Sequence, residues 1–435
     1  MNGSSRNFPR PEILSPAGNY EKMLAAVRFG ADAVYLAGHE FGMRSAADNF
    51  SLEELESAAK YVHSKGKKIY LTVNTLPHGD EYPRLAEYLS AIADFAPDGK
   101  IDAFIAADLG VISLIREIIP DGAVHVSTQA SICSPRAAIA YAALGASRLV
   151  LARELTLDEI RDIRRALPPE IELEAFVHGS MCVSYSGRCM LSNMLTGRDA
   201  NHGACAQPCR WNYTLYEEKR PDTPIPVEEN ALGTFIMSSK DMCLIEHVGK
   251  LASAGVSSFK IEGRIKSAYY TAVVTNAYRM AVDACEEFVK NGGDPENFTV
   301  DPAVMRELCS VSHREYSTGF YFGAPAVDPQ LVTQPGYVRE KAYLAVAAPG
   351  DLPDALRPLA ESGNGALVRF TQRNKLTVSS TAELLSPGKV GIPFVVNELY
   401  DAEGKPIDST PHPSMTFFAR VPFPVLDGDI LRAGD

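Results

Sequence analysis

Short apolar segments alternate with amphipathic segments through residues 1–290, and this alternation restricts the fold more than any other feature of the chain. Strands separated by helices pair in parallel through right-handed crossovers. The number of repeats and their span favour a (β/α)₈ TIM-type barrel over an open doubly wound sheet. The predicted strands are 12–18, 33–37, 68–74, 103–108, 124–128, 148–152, 173–177, 234–237 and 258–261. The predicted helices are 20–29, 51–66, 82–95, 134–144, 156–166, 243–254 and 266–288.

The last part of the chain has a different pattern, in which Gly, Pro and Asn or Asp separate strand-like segments. This pattern is typical of a small all-β barrel or sandwich. The sequence therefore predicts an α/β barrel-like catalytic domain over 1–290 with a Cys-rich insertion at about 178–232, a linker over 291–339 and a small β-barrel module over 340–435. The predicted strands of the module are 343–347, 366–371, 375–379, 390–396 and 415–420.

Composition narrows the classes of function. The 435 residues carry a net charge of −12, which argues against non-specific binding to nucleic acid or to an anionic membrane but leaves room for a local basic site. The chain has no run of ~18 apolar residues, so we expect no membrane span. The polar first residues lack the apolar region of a secretory signal, and a cytoplasmic location is expected.

Polar residues at the ends of the predicted strands are the first candidates for a site, because barrel enzymes carry their active sites at the carboxyl ends of the strands. No Walker A, dinucleotide-binding or zincin pattern occurs in the chain. The candidates at strand ends are Ser15, Asn74, Asp108, Gln129, Arg153, His178, Lys240, Glu262 and Arg264.

Four of the eight cysteines, Cys182, Cys189, Cys205 and Cys209, lie within 28 residues in the pattern C-x₆-C-x₁₅-C-x₃-C. Four thiolates suit a 4Fe–4S cluster or a tetrahedral zinc ion, and the spacing lacks the C-x₂-C pairs of most zinc ribbons. The spacing favours iron–sulfur, with zinc or unligated cysteines as alternatives. The remaining four cysteines are scattered and are expected to be small buried hydrophobic residues, with Cys243 a possible spare ligand.

The segment EAFVHGSMCVSYSGRCMLS over 174–192 resembles the signature of the collagenase-like peptidase family U32. Further segments agree with that family, at 14–18, 32–35, 198–199, 209–211, 239–242 and 260–264. The resemblance covers nearly the whole chain, including the C-terminal β module.

The resemblance implies RNA modification rather than proteolysis. Length, the cysteine pattern and the β module are most similar to the branch that hydroxylates the wobble uridine of tRNA, with prephenate as the implied source of the hydroxyl group. Other branches act on a cytidine of ribosomal RNA, or in ubiquinone hydroxylation with 4Fe–4S clusters. The implied cluster ligands are Cys182, Cys189 and Cys205, with Cys209 as the fourth. The implied partners are tRNA, prephenate and a related family member as a second subunit.

The candidate catalytic residues are Arg44, Asn74, Gln129, Arg153, His178, Glu262 and Arg264. A uridine taken out of its stack needs an aromatic surface, and Tyr35, Tyr185 and Trp211 are candidates, although packing is the better interpretation for Tyr35. Arginine forks would pair with the carboxylates of prephenate. The candidate arginines are Arg44, Arg153, Arg188, Arg198, Arg210 and Arg264.

Two other functions stay open. A peptidase is the first, but His178 and Ser180 are two residues apart on a predicted strand, a spacing that seldom forms a catalytic pair, and no metalloprotease spacing occurs. The second is a non-enzymatic RNA-binding scaffold with a structural metal.

Overall fold

The computed structural model describes residues 9–43, 48–182, 184–185, 189–211, 216–217, 220–224, 229–230, 233–234, 239–323, 338, 341–360 and 365–434. Elements are numbered along the chain. The first seven strands are β1 (Glu12–Pro16), β2 (Ala33–Leu36), β3 (Lys68–Thr72), β4 (Ala103–Ala106), β5 (Ala123–Val126), β6 (Arg148–Val150) and β7 (Glu172–Ser180). The helices between them are α1 (Tyr20–Arg28), α2 (Leu52–Ser64), α3 (Tyr82–Ala93), α4 (Leu109–Ile118), α5 (Pro135–Ala143) and α6 (Leu157–Ala166).

The segment after β7 contains short elements. They are helix α7 (Leu191–Thr196) and two small hairpins, β8 (Tyr216–Glu217) with β9 (Arg220–Pro224) and β10 (Glu229–Asn230) with β11 (Gly233–Thr234). The chain then forms β12 (Asp241–Cys243), α8 (Val248–Ser253), β13 (Ser258–Ile261), α9 (Ala268–Lys290), α10 (Pro302–Cys309) and β14 (Tyr316–Ser317).

The parallel strands close into a barrel. Each of β1 to β7 pairs with the next in parallel, and β13 pairs in parallel with both β1 and β7. This closed eight-stranded ring confirms the predicted barrel. The predicted strand 234–237 is not part of it, because the barrel closes without that segment. Within that segment Thr234 belongs to the β10–β11 hairpin, and residues 235–237 lie outside the described residues.

Local signals explain several helix boundaries. The predicted capping box at Ser51 is present, since Ser51 Oγ accepts from the Glu54 amide and the Glu54 carboxylate accepts from the Ser51 amide. Helix α4 was not among the predicted helices. Its N-cap residue is Asp108, whose side chain accepts a hydrogen bond from the Val111 amide.

Two short strands extend the barrel wall near the insertion. Strand β12 pairs antiparallel with the end of β7, so that Asp241 lies opposite Ser180, and β14 pairs in parallel with β12. Tyr321 is buried, and its hydroxyl donates to the Phe176 carbonyl at 2.9 Å. The described first part of the segment predicted as a linker therefore packs against the barrel.

The C-terminal module is a seven-stranded antiparallel sheet curved as a half barrel, which confirms a small all-β module. Its strands are β15 (Tyr343–Ala347), β16 (Ala366–Gln372), β17 (Thr381–Leu385), β18 (Ile392–Val395), β19 (Leu399–Tyr400), β20 (Thr416–Val421) and β21 (Ile430–Ala433), and a short helix α11 (Arg357–Ala360) precedes β16. They lie in the order β18-β17-β21-β15-β16-β20-β19. The predicted strand 375–379 contributes only an isolated bridge at Thr377.

Helix α9 lies between the barrel and the module. Sixteen of its 23 residues are buried, and Asn276 exchanges hydrogen bonds with the backbone of Gly388 and Lys389 in the module. In the part of the chain that the structure describes, no helix is both long enough and apolar enough to be a membrane span.

Candidate active site

A cavity of about 90 Å³ opens at the carboxyl ends of the barrel strands. We call it the mouth cavity. Its lining residues are Tyr35, Met43, Thr72, Asn74, Ile105, Ser127, Thr128, Gln129, Val150, Arg153, Phe176, Cys182, Lys260, Glu262 and Arg264.

Five of the seven candidate catalytic residues line the mouth cavity, and two of them form a direct pair. Asn74 Nδ2 donates to Gln129 Oε1 at 2.6 Å, and Gln129 Nε2 donates to the Asn74 carbonyl at 2.9 Å. Ser127 Oγ also donates to Gln129 Oε1, at 3.2 Å. These bonds fix two amide side chains at the rim of the cavity, where their remaining N–H groups could bind the polar edge of a planar ligand.

Arg264 is held in a buried position by a fork of hydrogen bonds. Its Nη1 donates to Thr72 Oγ1 at 3.1 Å and its Nη2 donates to Asn49 Oδ1 at 2.6 Å. The Lys22 ammonium donates to the Arg264 carbonyl at 3.2 Å, and a Cβ at Gly18 would meet that carbonyl oxygen at 1.9 Å. Glycine is required at position 18 by this close approach.

Arg153 is the second arginine of the cavity and is also buried. Its Nη1 donates to the Ser180 carbonyl at 3.0 Å, and its guanidinium lies 5.1 Å from the centre of the Phe176 ring. The bond to Ser180 links the cavity wall to the point where the Cys-rich insertion leaves β7.

Lys260 also lines the cavity, although it is not among the candidate site residues predicted from the sequence. Its ammonium lies 2.7 Å from Glu174 Oε1 and 4.5 Å from the centre of the Tyr35 ring. Glu174 in turn accepts from Arg148 Nη1 at 3.1 Å, and Arg148 binds Glu12 at 2.6 Å. Strand alternation was the available signal, because Ser258, Lys260 and Glu262 are two residues apart along β13 and into the segment that follows it.

This chain of ion pairs lies below the mouth cavity, inside the barrel. Burial alone would raise the pKa of Glu12, but Arg148 and hydrogen bonds from Tyr70 and Ser258 hold it below its usual value. Burial lowers the pKa of His125 well below its usual range, and nearby Arg148 and Lys260 add to the effect. The barrel interior thus carries fixed charges in pairs and an uncharged histidine.

The described lining of the mouth cavity has more cations than carboxylates. Among its described lining residues, Arg153, Lys260 and Arg264 are cationic and Glu262 is the single carboxylate. Buried guanidinium groups beside an open cavity suit the carboxylate or phosphate groups of a ligand.

His178 lies outside the mouth cavity, although it was a candidate catalytic residue. Its ring is buried against Tyr270, Tyr278 and Tyr316, at centroid distances of 6.0, 5.6 and 5.3 Å. Burial lowers the pKa of His178 to about 3, and neither ring nitrogen has a hydrogen-bond partner among the described residues. The imidazole is therefore neutral and makes no hydrogen bond to Ser180.

Other candidates lie elsewhere. Ser15 faces α9 and bonds to Thr275, Asp108 caps α4, and Lys240 pairs with Glu315. Arg44 and Arg188 lie outside the described residues, as does the side chain of Arg210.

Of the candidate aromatic residues, Tyr35 lines the mouth cavity and donates to the Ile261 carbonyl at 2.8 Å. Tyr185 and Trp211 do not line it and are 48% and 43% exposed. Arg198 donates to the Ala204 carbonyl within the insertion. Of the three rings proposed from the sequence, one therefore lies in the cavity, and the other two are exposed on the insertion.

Among the described residues, none of the four clustered cysteines forms a disulfide, and Cys182 lines the mouth cavity. This donor set suits a 4Fe–4S cluster in kind. In the described residues, however, no three His, Cys, Asp or Glu side chains gather as metal ligands. In the described arrangement the four thiols therefore lie apart, and they would have to come together to hold a cluster.

Comparison with known families decides the classification. The model of Peptidase family U32 matches residues 18–330, and that of the Peptidase family U32 C-terminal domain matches residues 359–432. The chain belongs to peptidase family U32. Both the barrel and the C-terminal sheet are included in these matches, as the sequence resemblance implied.

Relatives in this U32 family carry different names. The chain is 35% identical to tRNA hydroxylation protein P1 of Bacillus subtilis (strain 168), over 100% of this chain and 97% of the relative. It is 33% identical to a collagenase of Porphyromonas gingivalis, over 77% of this chain and 78% of the relative. It is 40% identical to a 23S rRNA 5-hydroxycytidine synthase of Escherichia coli (strain K12), over 64% of this chain and 40% of the relative.

Proposed function

We propose that this U32 protein hydroxylates RNA, and that its substrate is the wobble uridine of tRNA. The observation that carries the proposal is the polar lining of the mouth cavity, whose amide and guanidinium groups suit the edge of an extruded base and a small anion. End-to-end similarity to a protein named for tRNA hydroxylation supports it.

Each part of the cavity has a role in this proposal. The paired amides of Asn74 and Gln129 would bind the edge of the extruded base, and Tyr35 would offer its ring nearby. Arg153 and Arg264 would bind the carboxylates of prephenate, the proposed source of the hydroxyl group. Glu262 would accept or return a proton at the cavity rim.

The proposed cofactor is a 4Fe–4S cluster on Cys182, Cys189, Cys205 and Cys209, with zinc as the alternative. The support is the donor set and the position of Cys182 on the cavity wall. Binding would require the insertion to bring the other three thiols toward Cys182. A second, related U32 subunit and a cytoplasmic location complete the proposal.

Peptidase activity has less support. A serine mechanism needs a base beside the nucleophile. His178 is enclosed by tyrosines and makes no hydrogen bond to Ser180 in the described structure. Cleavage of gelatin by the purified, metal-free protein would restore this alternative, and RNA binding with unchanged nucleosides in a deletion strain would favour the scaffold.

The direct test replaces Arg264 by Lys in a strain that lacks the chromosomal gene. A lysine cannot make both bonds of the guanidinium fork to Thr72 and Asn49, so we expect hydroxylated uridine in tRNA to fall about tenfold or more. Mass spectrometry of tRNA nucleosides measures the effect. The matched control is Arg116→Lys, an exposed arginine that bonds to the Gly145 carbonyl. Unchanged hydroxyuridine in Arg264→Lys would contradict the assigned role, and its presence in the deletion strain would contradict the function.

A further inference from the structure

A second cavity, of about 640 Å³, lies between the barrel and the C-terminal module. We call it the interdomain cleft. One wall is formed by α1 and the end of α2, and the other by β15, β21 and neighbouring loops of the module. Its lining residues are Glu21, Leu24, Ala25, Val27, Arg28, Phe29, Tyr61, Lys65, Lys67, Ala268, Tyr343, Val346, Arg373, Asp427, Gly428 and Ile430.

The cleft combines cations with aromatic rings. Among the described lining residues, Arg28, Lys65, Lys67 and Arg373 are basic, whereas Glu21 and Asp427 are acidic. The Lys65 ammonium lies 5.5 Å from the centre of the Tyr61 ring, and the Arg373 guanidinium lies 6.0 Å from that of Tyr343. Proteins that bind single-stranded nucleic acid use this combination, with cations for the phosphates and flat side chains for the bases.

Some of these cations have acidic neighbours and one does not. Arg28 pairs with Asp429, Arg373 with Glu21, and Lys67 lies 3.5 Å from Asp32. Lys65 is exposed and has no carboxylate within ion-pair distance in the described structure. Lys65 is thus the lining cation whose charge is available to a ligand without breaking an ion pair of the described structure.

The interdomain cleft runs along α1, from Glu21 near the mouth cavity to Lys67, which directly precedes β3 at the amino ends of the barrel strands. Lys22 donates to the carbonyl of Arg264, which lines the mouth cavity, and the adjacent Glu21 lines the cleft and pairs with Arg373. The first turn of α1 therefore separates the two cavities. A chain whose base occupies the mouth cavity could continue over this turn into the cleft.

We propose that the interdomain cleft binds a single-stranded segment of the RNA substrate next to the nucleotide held in the mouth cavity. This inference rests on the proposed function and extends it, because it assigns the C-terminal module a part in RNA binding. Lys65 and Lys67 contact phosphates, and the flat side chains of Tyr61 and Arg373 contact bases. An acidic surface of a second copy of this chain is the competing occupant.

The test compares RNA binding by the full-length protein and by two double variants. Lys65→Gln with Lys67→Gln removes two cations from the cleft. The matched control, Lys100→Gln with Lys290→Gln, removes two exposed lysines that do not line it. Fluorescence anisotropy with unmodified tRNA, over a series of salt concentrations, gives the dissociation constant and its salt dependence.

We expect the cleft variant to bind tRNA about tenfold more weakly, with a salt slope lower by roughly 1.4, since each phosphate contact on a single strand contributes about 0.7. The control variant should match the wild type. Equal affinity and slope in all three proteins would overturn the inference while leaving the proposed function intact. Absence of tRNA binding by the wild type would instead count against both.

A measurement on the wild type avoids any effect of substitution on folding. Reductive methylation of lysines, read by mass spectrometry, should show Lys65 and Lys67 protected when tRNA is bound, with Lys100 reacting equally with and without RNA. Reactivity of Lys65 and Lys67 that does not change with tRNA would overturn the inference. Protection that appears without RNA and rises with protein concentration would assign the cleft to a second copy, which also overturns it.

Discussion

His178 is a buried histidine whose charged form is excluded by its surroundings. Burial lowers its pKa to about 3, below the usual value of 6.5, so the unfolded chain takes up a proton on this residue as the pH falls through 6.5 while the folded protein does not. The stability of the fold therefore falls with pH between 6.5 and 3 because of this residue.

Replacing His178 by Phe should remove this part of the pH dependence, since a phenyl ring can occupy the space among the three tyrosines. Between pH 7.5 and pH 5.0 we expect the free energy of unfolding of the variant to improve relative to the wild type by about 2 kcal/mol. Urea unfolding at the two pH values measures this. His39→Gln, which changes an exposed histidine, should leave the difference unaltered. Parallel pH curves for His178→Phe and the wild type would contradict the assignment.

The four clustered thiols should determine the iron content of the protein. After anaerobic purification we expect about four irons and four sulfides per chain. Cys182→Ser and Cys205→Ser should each abolish most of this content, whereas Cys133→Ser, which changes an exposed cysteine outside the insertion, should retain it. Iron, sulfide and zinc analysis measures the outcome. One zinc and no iron would favour the structural alternative.

Residue positions at strand ends were predictable from the sequence because parallel strands place their carboxyl ends together. Asn74, Gln129, Arg153, Glu262 and Arg264 were found in this way. The sequence did not distinguish His178 from these cavity residues. Its strand continues beyond the barrel and pairs with β12, which encloses its side chain. Lys260 was missed because a lysine within a short apolar strand has no strand-end signal.

The pairing of β12 with β7 and β14 depends on a buried ion pair. Asp241 accepts from Arg314 at Nε and Nη2, at 3.1 and 2.7 Å, and also from the Arg314 amide at 3.1 Å. Burial opposes ionisation of Asp241, but Arg314 and Lys266 hold its pKa below the usual value. Ser239 Oγ donates to the Met181 carbonyl at 2.7 Å, so these bonds fix both ends of the Cys-rich insertion.

Asp241→Asn should therefore be costly, because it leaves the Arg314 guanidinium buried without its carboxylate. We expect a loss of about 3–5 kcal/mol in the free energy of unfolding. Denaturant unfolding measures the loss, and hydrogen exchange should show faster opening at the end of β7. Asp354→Asn removes one partner of an exposed pair with Arg357 and should cost less than about 1 kcal/mol. Equal costs in the two variants would contradict the role of burial.

Element prediction succeeded where apolar runs were uninterrupted and failed where charges interrupt them. Strands β13 and β15 were located with their observed ends. Strands β17 and β21 were not predicted, since each carries a buried charged residue, Glu383 and Arg432, inside an otherwise apolar run. Those charges are satisfied by contacts between distant segments, which no local pattern contains.

Glu383 and Arg432 also join the C-terminal module to the barrel. Arg432 donates to both carboxylate oxygens of Glu307 in α10, at 2.8 and 2.7 Å, and to Glu383 at 2.7 Å. Glu383 also pairs with Lys341, and the Gly391 amide donates to Glu307 at 3.1 Å. The module is therefore held to the barrel by a buried polar network.

Arg432→Met should uncouple the two domains, because Glu307 and Glu383 are left buried without their common partner. We expect calorimetry to show two transitions, with the module unfolding first, where the wild type shows one. Arg357→Met, at an exposed position, should keep a single transition. A single transition in Arg432→Met at the wild-type temperature would show that this network does not couple the domains.

Ser180 on β7 and Asp241 on β12 lie opposite each other. This proximity affects how the segment between them can vary among related proteins. A segment that leaves and re-enters at neighbouring positions of one strand pair can change in length and content while the barrel still closes. The entropic cost of closing such a segment between two fixed ends grows only slowly with the number of residues in it. The whole cysteine-bearing segment can therefore be replaced, in evolution or by design, by a segment with different chemistry at the rim of the cavity, while the barrel stays unchanged.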